Sequence, residues 1–177
     1  MEGISVAYAN ALFDLSLEEK DDKKVLTQLL GMKESLSENK EFLRILDSKN
    51  ISKDDKKDML VSIFSKSVDK NVLNFLKLLV DKSRIKYLIG IIDAYKSAYY
   101  NHYGIKELII YSTHALSDKE IKELKQALED KYQEKYEAVN LIDESLIAGI
   151  KVQINDLVLD GSVSNKLDRL KSTILSK

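Results

Sequence analysis

The sequence predicts an α+β chain, a six-helix bundle followed by a small α+β domain, on three observations. Residues 4–102 carry apolar side chains at helical spacing, broken only by short polar turns. The chain holds no proline, whose place inside a helix costs about 3 kcal/mol or more. After residue 104 the pattern changes to β-branched and alternating runs. The boundary is therefore set there, with an all-helical domain over 1–104 and an α+β domain over 105–177.

A first helix is predicted over Ile4 to Glu19, and Asp21-Asp22 caps a second that reaches Leu36. The run Glu41-Phe42-Leu43-Arg44-Ile45-Leu46 makes a short third. Ser52-Lys53-Asp54-Asp55 has the form of a capping box and opens a fourth, which ends near Phe64. A fifth spans Lys70 to Val80. Asp81-Lys82-Ser83 interrupts it, and a sixth runs from Arg84 to His102, with Gly104 where a helix end favours glycine.

Lys106 to Thr113 is apolar and β-branched, a strand. Ser117-Asp118-Lys119-Glu120 starts a helix whose apolar face is Ile121, Leu124, Leu128 and Tyr132. Val139 and Leu141 mark another strand. Ile150, Val152 and Ile154 then alternate with Lys151, Gln153 and Asn155, the period of a half-buried strand. Asn155-Asp156 turns the chain into a return strand, Leu157 to Leu159. Asp160-Gly161-Ser162 stops that strand and supplies capping oxygens, and Val163, Leu167, Leu170 and Ile174 recur on one face of a final helix.

The first helix has two apolar sides. At about 100° per residue, Val6, Ala9, Phe13 and Leu17 fall on one side and Ile4, Tyr8, Ala11, Leu12 and Leu15 nearly opposite. Such a helix must be buried on both sides, either as a central helix or with one side against a partner. Small Ala7 and Ala11 would let another helix approach closely, and the Tyr8 hydroxyl can keep a polar contact at the rim. In the fifth helix Val72, Phe75, Leu76 and Leu79 form a core stripe, while Leu78 points elsewhere beside Asn74.

Composition excludes several kinds of chemistry. Lys and Arg total 28 against 29 Asp and Glu, a net charge of -1, whereas a nucleic-acid binder draws most of its affinity from basic residues. Charge does not separate the halves, since residues 1–104 carry 17 basic and 16 acidic side chains and residues 105–177 carry 11 and 13. Without cysteine there is no thiolate nucleophile, disulfide or thiolate zinc site. His102 and His114 are the only histidines, and neither sits in a nucleophile motif. The paired carboxylates Asp21-Asp22 and Asp54-Asp55 read as helix caps. Glycine-rich phosphate loops are missing, so neither ATP binding nor hydrolysis is expected, and no cofactor or metal. Gly149 and Gly161 stand alone, as at a close strand approach and a tight turn. No apolar run approaches the roughly 20 residues that span a bilayer, and no signal or transit peptide is expected, given Glu2, Asp14, Glu18 and Glu19.

The tail from Asp143 resembles the carboxy-terminal signature of the F-type ATP synthase delta subunit family, which includes the oligomycin-sensitivity-conferring protein. That signature has an aspartate, a leucine and a glycine before an alternating strand, then Asp-Gly-Ser-Val feeding a Leu-rich helix. Here these are Asp143, Leu146, Gly149, Ile150, Val152, Ile154, Asp160, Gly161, Ser162, Val163, Leu167 and Leu170. Tyr8-Ala9-Asn10-Ala11-Leu12-Phe13 is similar to the family's Tyr-Ala-x-Ala-x-Phe, and the run from Phe75 to Ile85 to its Leu-rich helix with Asn-Gly-Arg-Leu. The chain departs from the pattern in Lys82-Ser83 for Asn-Gly, Asp143-Glu144 for Asp-Pro, Ala148-Gly149 for Gly-Gly and Ser164 for an arginine.

The resemblance implies a non-catalytic stator subunit of the proton-translocating ATP synthase, peripheral to the cytoplasmic face of a bacterial cell membrane. The helical domain would hold an alpha-subunit amino-terminal helix in a groove between helices one and five. Its lining would be Ile4, Tyr8, Ala11, Leu12, Leu15, Asn74 and Leu78. The second domain would bind the ends of the b subunits, so that the head resists the torque of the rotor. All-helical RNA-binding antitermination factors and an unassigned helical adaptor are the alternatives. The near-neutral first domain argues against the former.

Overall fold

Short-range capping chemistry fixes some of the helix boundaries, although Asp21, expected to cap the second helix, makes no side-chain cap bond. The computed structural model describes residues 2–146, 148–154 and 157–160. The chain is α+β. Its first unit ends at Tyr100, and the second begins at Asn101.

The first unit contains α1 (Glu2–Glu19), α2 (Asp22–Glu38), α3 (Lys40–Asp47), α4 (Lys53–Phe64), α5 (Lys70–Asp81) and most of α6 (Leu88–Tyr103). The Ser52 hydroxyl caps α4 by accepting from the Asp55 backbone N–H at 3.1 Å. Helix α5 closes in a Schellman motif: Arg84 N–H reaches Leu79 O at 2.7 Å and Ser83 N–H reaches Val80 O at 2.9 Å. The motif puts Ser83 at φ 54, in the left-handed region, where the resembling family pattern has glycine. The sixth helix therefore does not begin at Arg84 as expected. A one-turn 3-10 helix, Ile85–Tyr87, intervenes before α6.

The core of this unit includes Leu29, Leu46, Leu60, Leu76, Leu79, Ile91, Ile92 and Tyr95, all fully buried. Its packing corrects the expected stripes on α1. The buried arc is Ser5, Ala9, Leu12, Phe13 and Ser16, whereas Val6 is 46% exposed. Two serines take core positions because α6 accommodates them. A Cβ added at Gly90 would lie 3.0 Å from Ser5 Oγ, so a larger residue there would require Ser5 to give by a few tenths of an ångström. Ser16 Oγ lies 2.8 Å from Phe13 O and 2.7 Å from the Tyr95 hydroxyl, so its polar group is satisfied inside the protein.

The second unit builds a four-stranded sheet in the order β2-β1-β3-β4, from β1 (Ile105–Ser112), β2 (Lys135–Ile142), β3 (Ile150–Ile154) and β4 (Leu157–Asp160). Strands β1 and β2 pair in parallel through the crossover helix α7 (Asp118–Tyr132), and the other pairings are antiparallel. Helix α7 opens on a reciprocal capping box between Ser117 and Glu120. Leu108 stands opposite Ile154, and Ile110 opposite Val152. With Tyr136 they form a buried cluster, against which Ile121, Leu124, Leu128 and Tyr132 of α7 pack.

Candidate partner-binding groove

Helices α1 and α5 are joined at two levels. Near the middle of α1 the Tyr8 ring meets Phe75 edge-on, with centroids 6.2 Å apart. At its carboxy-terminal end Glu19 accepts a hydrogen bond from the Asn71 side-chain amide. The pairings of Tyr8 with Phe75 and of Glu19 with Asn71 run in opposite order along the two helices. Arg84, just after α5, adds a third link. Its Nη1 donates to the Tyr8 hydroxyl at 3.1 Å, and its guanidinium carbon lies 5.3 Å from the ring centroid.

Most residues expected to line the groove are accessible beside this contact. Leu15 is 42% and Leu78 is 43% exposed, Ala11 and Asn74 are exposed, and Ile4 and Tyr8 are half-buried. Leu12 differs from them: at 3% exposure it belongs to the core arc of α1. The rotation that brought Ser5 and Ser16 inward carried Leu12 with them and turned Val6 outward. Arg84 was not among the expected lining residues. Its contact with Tyr8 joins positions 76 apart in sequence, which no local pattern reveals.

The signature of the second unit is partly explained by turn geometry. Asp143 N–H donates to Ser112 O at 2.9 Å, and Asp143 Oδ1 accepts from the Ser145 hydroxyl at 2.6 Å and the Ser145 backbone N–H at 3.0 Å. Those bonds, the hydroxyl first, hold the Asp143 carboxyl below its ordinary range. Leu146 N–H closes the same turn on Asp143 O at 3.2 Å. Gly149 lies at φ 95, where a Cβ would be strained, just before β3. Asp160 ends β4, paired with Lys151. Gly161, Ser162, Val163, Leu167 and Leu170, and the helix expected over them, lie outside the described residues.

His114 Nδ1 lies 3.1 Å from the Thr113 hydroxyl, and His102 stacks edge-on with Tyr103. Among the described residues no three His, Cys, Asp or Glu side chains converge as a metal site. On the sheet, Val139, Leu141 and Val158 are exposed.

Comparison with known proteins agrees along the whole chain. The family described as ATP synthase delta (OSCP) subunit matches residues 4–174. The ATP synthase subunit delta of Clostridioides difficile (strain 630) is 35% identical over 172 residues, covering 97% of this chain and 95% of that one. That of Acetivibrio thermocellus is 34% identical over 182 aligned positions, covering 100% of both. A chain in the cryo-EM structure of the Toxoplasma gondii mitochondrial ATP synthase hexamer shares the fold. Its TM-score is 0.67, with 24% identity and 97% of each chain covered.

Proposed function

The chain belongs to the ATP synthase delta (OSCP) subunit family, and from that membership we propose how its two units divide the work. It is a structural, non-catalytic subunit of the synthase peripheral stalk. The complex is membrane-associated, and no helix among the described residues is long and apolar enough to cross a membrane. We place the chain at the cytoplasmic face, held there by its partner subunits.

Helices α1 to α6 act as one six-helix bundle, residues 1–104, that grips the catalytic head. An alpha-subunit amino-terminal helix lies along α1 and α5, with Ala11 giving room for close approach and Leu15 and Leu78 supplying anchors. The supporting observation is that these apolar residues stay accessible on two helices already in contact through Tyr8 and Phe75. Burying each large anchor contributes about 1.5–3 kcal/mol. Association costs about 4–15 kcal/mol, so several anchors on both partners must act together. The second domain, residues 105–177, takes the ends of the b subunits, and the exposed Val139, Leu141 and Val158 favour an apolar contact there. A stator needs slow dissociation under torque, which large apolar contacts supply.

Calorimetric titration with an alpha-subunit amino-terminal peptide tests the groove. Wild type should bind, and Tyr8→Asp, Ala11→Asp and Leu78→Asp should each bind more weakly while circular dichroism stays unchanged. A folded wild-type chain that releases no binding heat overturns the assignment.

A further inference from the structure

A cavity of 470 Å³ opens where the α3–α4 loop, the first turn of α4 and the α5–α6 link meet. Four lysines line it, Lys49, Lys53, Lys56 and Lys86, against one carboxylate, Asp47. Among the described residues none of the four forms an ion pair with a carboxylate. Lys53 Nζ donates to Asp81 O and Lys56 Nζ to Ser48 O, each at 2.5 Å, so two ammonium groups are held in place by neutral carbonyls. Lys56 is 9% exposed, and a buried charge without a counter-ion is costly. Neighbouring carboxylates are engaged elsewhere. Asp54 and Asp81 pair with Lys57, and Asp55 accepts from the Ser52 hydroxyl.

The walls sharpen this charge. Leu46, Val80 and Ile85 are at most 2% exposed and give the cavity an apolar lining that focuses the field of the lysines. The positive end of the α4 dipole opens on the same space. The volume lies within the roughly 300–1,000 Å³ of small-molecule sites and exceeds what one phosphate fills. No aromatic ring lines the cavity to stack a base.

We propose that this cavity binds a compact polyphosphate anion of two or three phosphoryl groups through Lys49, Lys53, Lys56 and Lys86. A glycine-rich loop is not needed, because ammonium groups rather than backbone N–H groups supply the attraction. The recognised chemistry is shared by free polyphosphate and the phosphate tail of a nucleotide.

The test titrates the full chain with tripolyphosphate and, separately, with ATP, both without metal, by calorimetry. Tripolyphosphate is expected to bind. Binding of ATP as well extends the site to nucleotide-borne phosphates, and its failure restricts the site to free polyphosphate. The Lys49→Gln/Lys86→Gln double variant, at two exposed positions, should weaken tripolyphosphate binding about tenfold or more, as losing two charge-assisted contacts implies. The Lys119→Gln/Lys122→Gln variant on α7 removes the same charge and should bind as wild type does. Equal weakening in both variants, or no binding at millimolar tripolyphosphate by a chain with native circular dichroism, overturns the proposal.

Discussion

Arg84 donates a 3.1 Å hydrogen bond to the Tyr8 hydroxyl while its guanidinium carbon sits 5.3 Å from the centre of the same ring. One cation thereby ties the link after α5 to the middle of α1 and fixes the Tyr8 rotamer at the groove. The pair should be energetically coupled. Urea unfolding of Tyr8→Phe, Arg84→Met and the double variant is expected to give an interaction of about 0.5–1.5 kcal/mol. Additive losses would mean that the two side chains meet without holding each other.

Adjacent turns of α1 should respond very differently to the same truncation. Leu12→Ala opens a core cavity and should cost about 2–5 kcal/mol of stability without a direct effect on the groove. Leu15→Ala removes an accessible side chain, should cost less than about 0.5 kcal/mol, and should weaken peptide binding. Denaturant midpoints beside calorimetry separate the two, and a stability loss at Leu15 as large as at Leu12 would contradict the burial pattern.

Features set by near neighbours were legible in the sequence. The Ser52 and Ser117 caps depend on residues three positions away, and the alternation of Ile150, Val152 and Ile154 depends on the strand's own pleat. The face that α1 buries depended instead on α6. A hydrophobicity count credits neither Ser5 nor Ser16, yet Gly90 and Tyr95 make room for them. That choice turned the helix enough to bury Leu12 and expose Val6. Arg84 escaped for a related reason, since its role requires Tyr8 to be beside it. The parallel pairing of β1 with β2 likewise comes from the α7 crossover and not from either strand's composition.

Ser83 carries backbone strain that a single change should relieve. Its φ of 54 costs a residue with a Cβ about 1–2 kcal/mol, part of which glycine returns through its larger unfolded-state entropy. Ser83→Gly is therefore expected to stabilise the chain by about 0.5–1 kcal/mol, read as a raised urea midpoint with unchanged slope. Ser83→Val, β-branched at the same φ, should destabilise it. Identical midpoints for all three chains would show that the left-handed turn stores no strain.

Four carboxylates held below their ordinary values shape the behaviour in acid, Asp143 with its Ser145 hydrogen bonds and three others. Hydrogen bonds from Lys24 and then Gln28 lower the Asp69 carboxyl from its ordinary 3.8. Those from Ser117 lower Glu120, and those from Lys106 and then Tyr136 lower Glu134, each from an ordinary 4.5. A depressed folded-state value means that the unfolded chain takes up protons first. Their stabilisation is complete above those ordinary values and is lost as pH falls through the lower folded ones. Urea midpoints should therefore hold level just above the ordinary carboxylate range and decline below it. Ser117→Ala should make that decline shallower, and an unchanged profile in the variant would remove Glu120 from the explanation.

Two tyrosines should titrate late. Tyr95 is fully buried, its hydroxyl donating to Asp22 O at 3.1 Å, and burial pushes it from 10.0 up to about 12. Tyr136 reaches about 12 as well, through burial first and then its 2.9 Å hydrogen bond to Glu134. A raised folded-state value means that this stabilisation is whole below pH 10 and is lost as pH climbs towards 12. Ultraviolet titration of the folded chain should show Tyr95 and Tyr136 still protonated at about pH 11. Tyr95→Phe should reduce that late fraction by one. If every phenol ionises before 11 while the circular dichroism remains native, water reaches the Ser16–Tyr95 contact, and the close packing of α1 on α6 inferred from Ser5 and Gly90 is wrong.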